Sequence, residues 1–134
     1  MPYAIMIAIS LHILSAIFWA GTSFTLARNG GAGATKLFAP QMGAAAIAVL
    51  SGTYLWSQLH AVEFGTAEQV LAVGAVSAIT AAFLQGALGG RAIRALRRAD
   101  NTEAQAQLRF ALVHRISSGL LTLTIVSMAI SRYV

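Results

Sequence analysis

The sequence predicts an all-α integral membrane protein, built as a bundle of four transmembrane helices. Four apolar stretches fill most of the 134 residues, and each reaches the roughly 20 residues that a helix needs to cross a bilayer core of about 30 Å. Hydrophobic residues make up 57% of the chain and charged residues 10%, whereas soluble proteins have about 25% charged residues. The predicted helices cover residues 3–27, 38–60, 69–90 and 110–133, in a single transmembrane domain.

The connections between these helices contain residues that end or begin helices. The glycine-rich segment 29–33 is a flexible turn after the first helix. Pro40 suits the first turn of the second helix, where its missing N–H is harmless. Thr66 is the predicted N-cap of the third helix, with Gln69 as its capping-box partner.

The third helix is predicted to continue past its apolar stretch as a basic extension. Arg91, Arg94 and Arg98 fall on one helical face of this extension. Asp100 and Asn101 are expected to end it, before the fourth helix begins.

Most of the basic residues lie in two of the three connections. The second connection holds only Glu63 and Glu68. The other two share one side of the membrane and contain Arg28, Lys36, Arg91, Arg94, Arg97, Arg98 and Arg109. The positive-inside rule places that side in the cytoplasm and both termini outside, with Arg132 as the exception. A membrane surface therefore explains the net charge of +5, and nucleic acid is not expected as a partner.

Small residues recur along two helices at a spacing that allows close contact between helices. The third helix carries Gly74, Ala78, Ala82, Gly86 and Gly90, and the second carries Ala44, Ala48 and Gly52. Such stripes let helices pack closely in lipid, within the bundle or between copies of the chain in a homo-oligomer. They also leave space for a flat cofactor, and the two uses are compatible.

His12 is the residue most favoured for chemistry, because it lies close to the bilayer midplane. Counted from Tyr3 at about 1.5 Å per residue, it is ~13 Å deep, and Ser15, Trp19 and Ser23 follow on its helical face. An imidazole at this depth serves as a metal or haem ligand, as a proton relay or as a hydrogen-bond partner between helices. Trp19 either packs on a cofactor ring or fills the core.

His114 lies about one turn into the fourth helix, at a height within one or two helical turns of His12. If the first and fourth helices are neighbours, the two histidines face a common cavity and can bind one haem b. Arg28, Arg109 and Arg115 would then pair with its propionates. The alternative is an interfacial histidine among loop charges.

Other residues carry weaker indications. Met42 is either a sulfur ligand or an apolar filler, and His60 is interpreted as a solvated residue at the outer surface. Trp56 suits an aromatic belt at that surface. The chain has no cysteine, which excludes disulfides and thiolate metal sites. Its four carboxylates lie in or near loops, so no paired acid–base site is expected within the bundle.

The order of residues in the first two helices is that of a known group of membrane proteins. His12 is followed two turns later by the Trp–Ala–Gly segment 19–21, and Arg28 ends the helix. This helix resembles the first helix of the HemJ-type protoporphyrinogen oxidases and the related CopD-type copper-resistance membrane domains, and segment 40–42 is similar to their second helix. The resemblance implies a small bundle in the bacterial inner membrane that binds haem b, with His12 as the first-helix ligand. The chain has neither the third-helix lysine nor the Asn–Glu pair of HemJ-type enzymes, so haem binding is favoured over porphyrinogen oxidation.

We therefore expect a multi-pass membrane protein that binds haem b through His12 and His114. It would transfer electrons to a quinone or another redox partner, or act as a haem-dependent membrane oxidoreductase. One alternative is a copper-handling or transport protein that uses His12, Met42 and His114 as ligands. The other is a helical subunit without catalytic activity, which assembles with partners through its stripes of small residues.

Overall fold

The computed structural model describes residues 2–99 and 102–134, and the part of the chain so described is helical apart from short connections. The helices are α1 (Pro2–Arg28), α2 (Ala34–Leu59), α3 (Thr66–Leu84), α4 (Gly90–Arg97) and α5 (Glu103–Ser131). A π-helical turn, Gln85–Gly89, joins α3 to α4 without a break. The predicted all-α fold is confirmed, whereas the expected helix end at Asp100 and Asn101 lies outside the described residues.

The helices run alternately up and down. His12 of α1 lies against Gly52 of α2, Gly74 of α3 lies against Thr124 of α5, and the α1–α2, α1–α5 and α3–α5 pairs share the largest contacts. We call the end that holds Pro2, the 60–65 loop and Ser131 the terminal end. The opposite end, which holds most of the arginines, is the basic end.

Three helices are long and apolar enough to cross a membrane: Pro2–Arg28, Thr66–Arg97 and Glu103–Ser131. The second of these is the continuous helix formed by α3, the π turn and α4. α2 is not among them, although it has sufficient length, because Pro40, Gln41 and other polar residues lower its hydropathy. Four helices are therefore confirmed, and three of them have the composition of a membrane span.

The structure corrects two details at the helix ends. α2 begins at Ala34, so Pro40 lies inside the helix and not in its first turn. Gly65, not Thr66, is the N-cap of α3, and its backbone N–H donates to the Glu68 carboxylate at 2.9 Å. The predicted basic extension of the third helix is confirmed as α4.

The fourth helix also begins earlier than predicted. α5 starts at Glu103 and has Thr102 as its N-cap. The Thr102 hydroxyl accepts from the backbone N–H of Gln105, and the Gln105 side chain accepts from the backbone N–H of Thr102. This reciprocal capping box satisfies two backbone donors that an uncapped helix would leave free.

The buried face of the third helix is shifted from the predicted stripe. After Gly74, the buried residues are Ser77, Ala81, Gln85 and Gly89, and Ala78, Ala82 and Gly86 are only half-buried. A shift of one position rotates a helical face by about 100°. The rotation turns Ala78 toward a cavity between the helices and turns Gln85 into the core.

Candidate functional site

A cavity of about 660 Å³ lies between α1, α2, α3 and α5, in the half of the bundle toward the terminal end. α2 and α3 have the least contact of the neighbouring long helices, so the cavity lies where the ring of helices is loosest. Much of its wall is made of small side chains: Ala16, Ala20, Ala48, Gly52, Ala75 and Ala78. The volume falls in the range of about 300–1,000 Å³ that small-molecule and cofactor sites occupy.

His12 lines this cavity and is held by a hydrogen bond to α2. Its Nδ1 lies 2.9 Å from the backbone oxygen of Ala48 and 3.2 Å from Ser51 Oγ. Because a carbonyl oxygen only accepts, Nδ1 donates its proton to Ala48. In the neutral ring the other nitrogen, Nε2, then keeps its lone pair, and it has no hydrogen-bond partner among the described residues. This is the usual arrangement of metal-ligating histidines, whose second nitrogen donates to a backbone carbonyl or a carboxylate.

Gly52 makes the position of the His12 ring possible. A Cβ atom at residue 52 would lie 3.0 Å from Cε1 and 3.4 Å from Nδ1 of His12. The 3.0 Å distance is shorter than an ordinary van der Waals contact, so the ring would have to shift by a few tenths of an ångström to admit even an alanine. The small-residue stripe of α2 therefore serves two purposes, because Ala44 and Ala48 are buried in the core while Gly52 admits the imidazole.

Two tryptophans contribute to the cavity wall. Trp19 is 2% exposed, and its Nε1 donates to Gln85 Oε1 at 2.7 Å. Trp56 is half-buried and lies near the terminal end, with its ring centroid 5.9 Å from that of His60. The indole of Trp19 is fixed by a buried hydrogen bond, so it forms a rigid part of the wall.

A buried polar network continues from Trp19 toward the basic end. Gln85 Nε2 donates to Ser23 Oγ at 2.9 Å, and Gln41 Nε2 donates to the same oxygen at 3.1 Å. The Ser23 hydroxyl in turn donates to the backbone oxygen of Trp19 at 2.8 Å. Ser23, Gln41 and Gln85 are each at most 1% exposed, and they come from α1, α2 and the π turn. Each of the three has at least one hydrogen-bond partner on another helix, and none of these buried polar groups is left unsatisfied.

His114 completes this network on α5. It is 3% exposed, its Nδ1 donates to the backbone oxygen of Phe110 at 2.7 Å, and its Nε2 lies 3.0 Å from Gln41 Oε1. A doubly protonated ring donates from Nε2 to this amide oxygen while the amide nitrogen donates to Ser23. A neutral ring accepts at Nε2 instead, which requires the Gln41 amide to be turned over so that its oxygen faces Ser23. In either state both nitrogens of His114 are engaged.

The structure therefore does not bring His12 and His114 to one cavity. His12 and Trp19 line the cavity, whereas His114 belongs to the network in the other half of the bundle. The predicted propionate partners are exposed residues outside the cavity wall: Arg28, Arg109 and Arg115. Met42 also lies apart from the cavity, next to Gly86. His60 does line it, at the terminal end, where its Nδ1 lies 2.7 Å from Glu68 Oε1.

Sequence reasoning missed three residues at these sites. Gln41 and Gln85 form the centre of the polar network, and Arg132 lines the cavity. A signal for the two glutamines was present, because an amide within an apolar membrane stretch is costly unless it is hydrogen-bonded. The position of Arg132 at the cavity could not be predicted, because single basic residues are common near the ends of membrane helices.

Comparison with known proteins identifies no related protein. No family model matches the chain, and no curated protein or solved structure is significantly similar to it. The resemblance of the first helix to HemJ-type and CopD-type proteins therefore stays a prediction.

Proposed function

We propose that the protein binds haem b within the membrane, in the cavity beside His12, and that it takes part in electron transfer. The main support is the hydrogen bond from His12 Nδ1 to Ala48, which leaves Nε2 as a ligand atom on a side chain that lines the cavity. The cavity has a fitting volume and a largely apolar wall. Bound haem would supply one-electron redox chemistry, tuned by its axial ligand and the polarity around it.

The residues of the chain have three roles in this proposal. His12 would hold the iron, and Ala48 would keep the imidazole in one tautomer and one orientation. Trp19, anchored by Gln85, would keep one wall of the site fixed. The apolar residues around them would exclude water and lower the local dielectric constant.

The ligand set differs from the one that the sequence predicted. His114 has both nitrogens engaged and does not line the cavity, so we propose one histidine ligand and not the pair His12 and His114. The copper alternative has less support. Its three ligands do not meet, because His12 lines the cavity whereas Met42 and His114 lie outside it.

The proposed setting is the bacterial inner membrane. Three helices have the length and apolarity of membrane spans, and large apolar side chains are exposed along them, including Ile13, Val76 and Leu112. The positive-inside rule favours an orientation with the basic end in the cytoplasm. The cavity then lies in the outer half of the bilayer.

The visible spectrum of the protein purified in detergent tests the haem proposal. We expect a Soret band and a reducible α-band, and we expect His12→Ala to lose both. His114→Gln, which lies outside the cavity, serves as the matched control and is expected to keep the pigment. Added imidazole should restore the spectrum of His12→Ala, because it replaces the missing ligand without changing the fold.

Two results would contradict this proposal. A colourless wild-type protein that takes up no added haem would favour the assembly subunit or, if it contains copper by elemental analysis, the copper-handling protein. Full haem content in His12→Ala without imidazole would show that His12 is not the ligand.

A further inference from the structure

The cavity changes character along its length. Around His12 its wall is apolar, with alanine, valine and leucine side chains. At the terminal end it is lined by polar and charged groups: Ser57, His60, Ser131 and Arg132. A ligand that matches both regions has an apolar body and a polar or anionic group at one end.

Arg132 is the cation of this polar region. It is the C-cap residue of α5, so its backbone is held by the helix, and its side chain is exposed at the end of the cavity. It forms no ion pair with any residue in the described ranges. An arginine without a carboxylate partner beside an apolar cavity is suited to bind a carboxylate through two parallel hydrogen bonds.

The two carboxylates near this end are not paired with Arg132. The Glu68 carboxylate is taken up by His60 Nδ1 at 2.7 Å and by the Gly65 backbone N–H at 2.9 Å, and Glu63 is an exposed loop residue that does not line the cavity. The His60–Glu68 pair also links the terminal ends of α2 and α3, the two helices between which the bundle is loosest.

We propose that the terminal end of the cavity is a carboxylate subsite, formed by the guanidinium of Arg132, which selects an amphiphile with its acidic group toward the terminal end. The inference rests on the cavity being the ligand site, as proposed above, but it does not depend on iron. For haem it reverses the expected orientation, since the propionates would point to Arg132 and away from Arg28, Arg109 and Arg115.

Binding of iron-free protoporphyrin IX and of its dimethyl ester, followed by fluorescence in detergent micelles, tests the subsite. The two probes share the ring and differ only in their carboxylates. We expect the wild-type protein to bind the diacid at least about tenfold more tightly than the diester, because charge-assisted contacts are lost in the ester. Arg132→Gln should remove this preference and leave binding of the diester unchanged. Arg115→Gln, which removes an exposed arginine at the basic end, is the matched control and should keep it.

A long-chain fatty acid and its methyl ester, added as competitors, distinguish a porphyrin from an acyl-chain ligand. Stronger competition by the acid that disappears in Arg132→Gln would support the subsite and assign it to an acyl carboxylate. An unchanged diacid preference in Arg132→Gln, or an equal loss in Arg115→Gln, would overturn the subsite. Neither probe contains iron, so these results are independent of the His12 spectra. The spectra can support His12 as the haem ligand while the porphyrin measurements contradict the subsite at Arg132, and the opposite combination can also occur.

Discussion

The two halves of the bundle differ in how their helices meet. In the basic half, buried amides, a serine and His114 join four helices through hydrogen bonds, and Gly31 lets the turn after α1 approach the backbone of α5 closely. In the terminal half, alanines and Gly52 leave a cavity of about 660 Å³. Lipid supplies no hydrophobic driving force between helices, so close packing and polar contacts must hold a membrane bundle together. The terminal half also contains a buried hydrogen bond between helices, from Thr124 to the Gly74 backbone oxygen, but it leaves room for a ligand. We therefore expect the basic half to provide more of the stability.

The largest effect is expected at Gly31, in the turn between α1 and α2. Its φ is +85°, and a Cβ there would lie 2.6 Å from the backbone oxygen of Gln107. Left-handed strain and backbone overlap together should lower the free energy of unfolding of Gly31→Ala by about 2–5 kcal/mol. Gly30→Ala is the matched control, because Gly30 has a φ of +73° but open space around it. Thermal unfolding in detergent measures both, and equal losses would show that the close contact is unimportant.

The second-largest effect on stability is expected in the buried polar network of Gln41, Gln85, Ser23 and His114. Gln41→Leu removes the amide that joins His114 to Ser23 and leaves their buried polar atoms short of partners. We expect a loss of about 1–3 kcal/mol in unfolding free energy. Ser117→Ala is the control, since the Ser117 hydroxyl is buried and has no hydrogen-bond partner in the described part of the chain, so its removal should be neutral or stabilising. A Gln41→Leu protein as stable as the wild type would contradict the assignment of stability to the basic half.

Filling the cavity should reduce ligand binding and leave stability nearly unchanged, whereas Gln41→Leu is expected to reduce stability. Ala75→Phe places a large ring into the space that Ala75 lines, so haem or porphyrin binding should fall at least about tenfold while the unfolding free energy stays within about 1 kcal/mol. Val76→Phe introduces the same residue at a neighbouring position that is 64% exposed and outside the cavity. Equal loss of binding in both variants would show that the cavity is not the ligand site.

A smaller effect is expected at Gly52. In Gly52→Ala the new Cβ pushes on the His12 ring, so we expect a shifted Soret band and a few-fold weaker haem binding. Gly43→Ala lies on the same helix with nothing near its Cβ, and it should gain about 0.5–1 kcal/mol of stability with an unchanged spectrum. Identical spectra for the two variants would place the ligand away from His12.

The smallest effect is expected for the hydrogen-bonded pair of His60 and Glu68 at the terminal end. The two side chains are 31% and 14% exposed, and solvent weakens such a pair. A double-mutant cycle with His60→Asn and Glu68→Gln should give a coupling below about 1 kcal/mol in unfolding free energy. A coupling of several kcal/mol would mean that the terminal end contributes strongly to stability, which would contradict the expectation that the basic half provides more of it.

Much of the fold was readable from local sequence. Long apolar stretches predicted the helices, and the glycine-rich segment 29–33 predicted the first turn, which holds Gly31 at positive φ. The position of His12 on a face with Trp19 was also predictable, and both residues line the cavity. The first residues of the helices were harder to predict. The caps Gly65 and Thr102 are set by contacts of only one or two side chains, which leave little signal in the sequence.

The partners of the functional residues were not readable in the same way. The sequence predicted similar depths for His12 and His114, but depth says nothing about the direction in which a side chain points. His114 turns to Gln41, 73 positions away along the chain, and His12 turns to Ala48. The shift of the buried face of the third helix by one position likewise decided that Gln85, and not Gly86, enters the core.

Four helices, a basic and a less charged end, and a histidine deep in the first helix all follow from local sequence. These properties depend on hydropathy, charge and backbone preference, which act over a few neighbouring residues. In contrast, tertiary contacts turn one histidine to a cavity, enclose the other in a polar network and place Arg132 at the end of that cavity. The reason is that the rotation and register of packed helices depend on many distant contacts at once, and a change of about 100° in rotation exchanges one face for another.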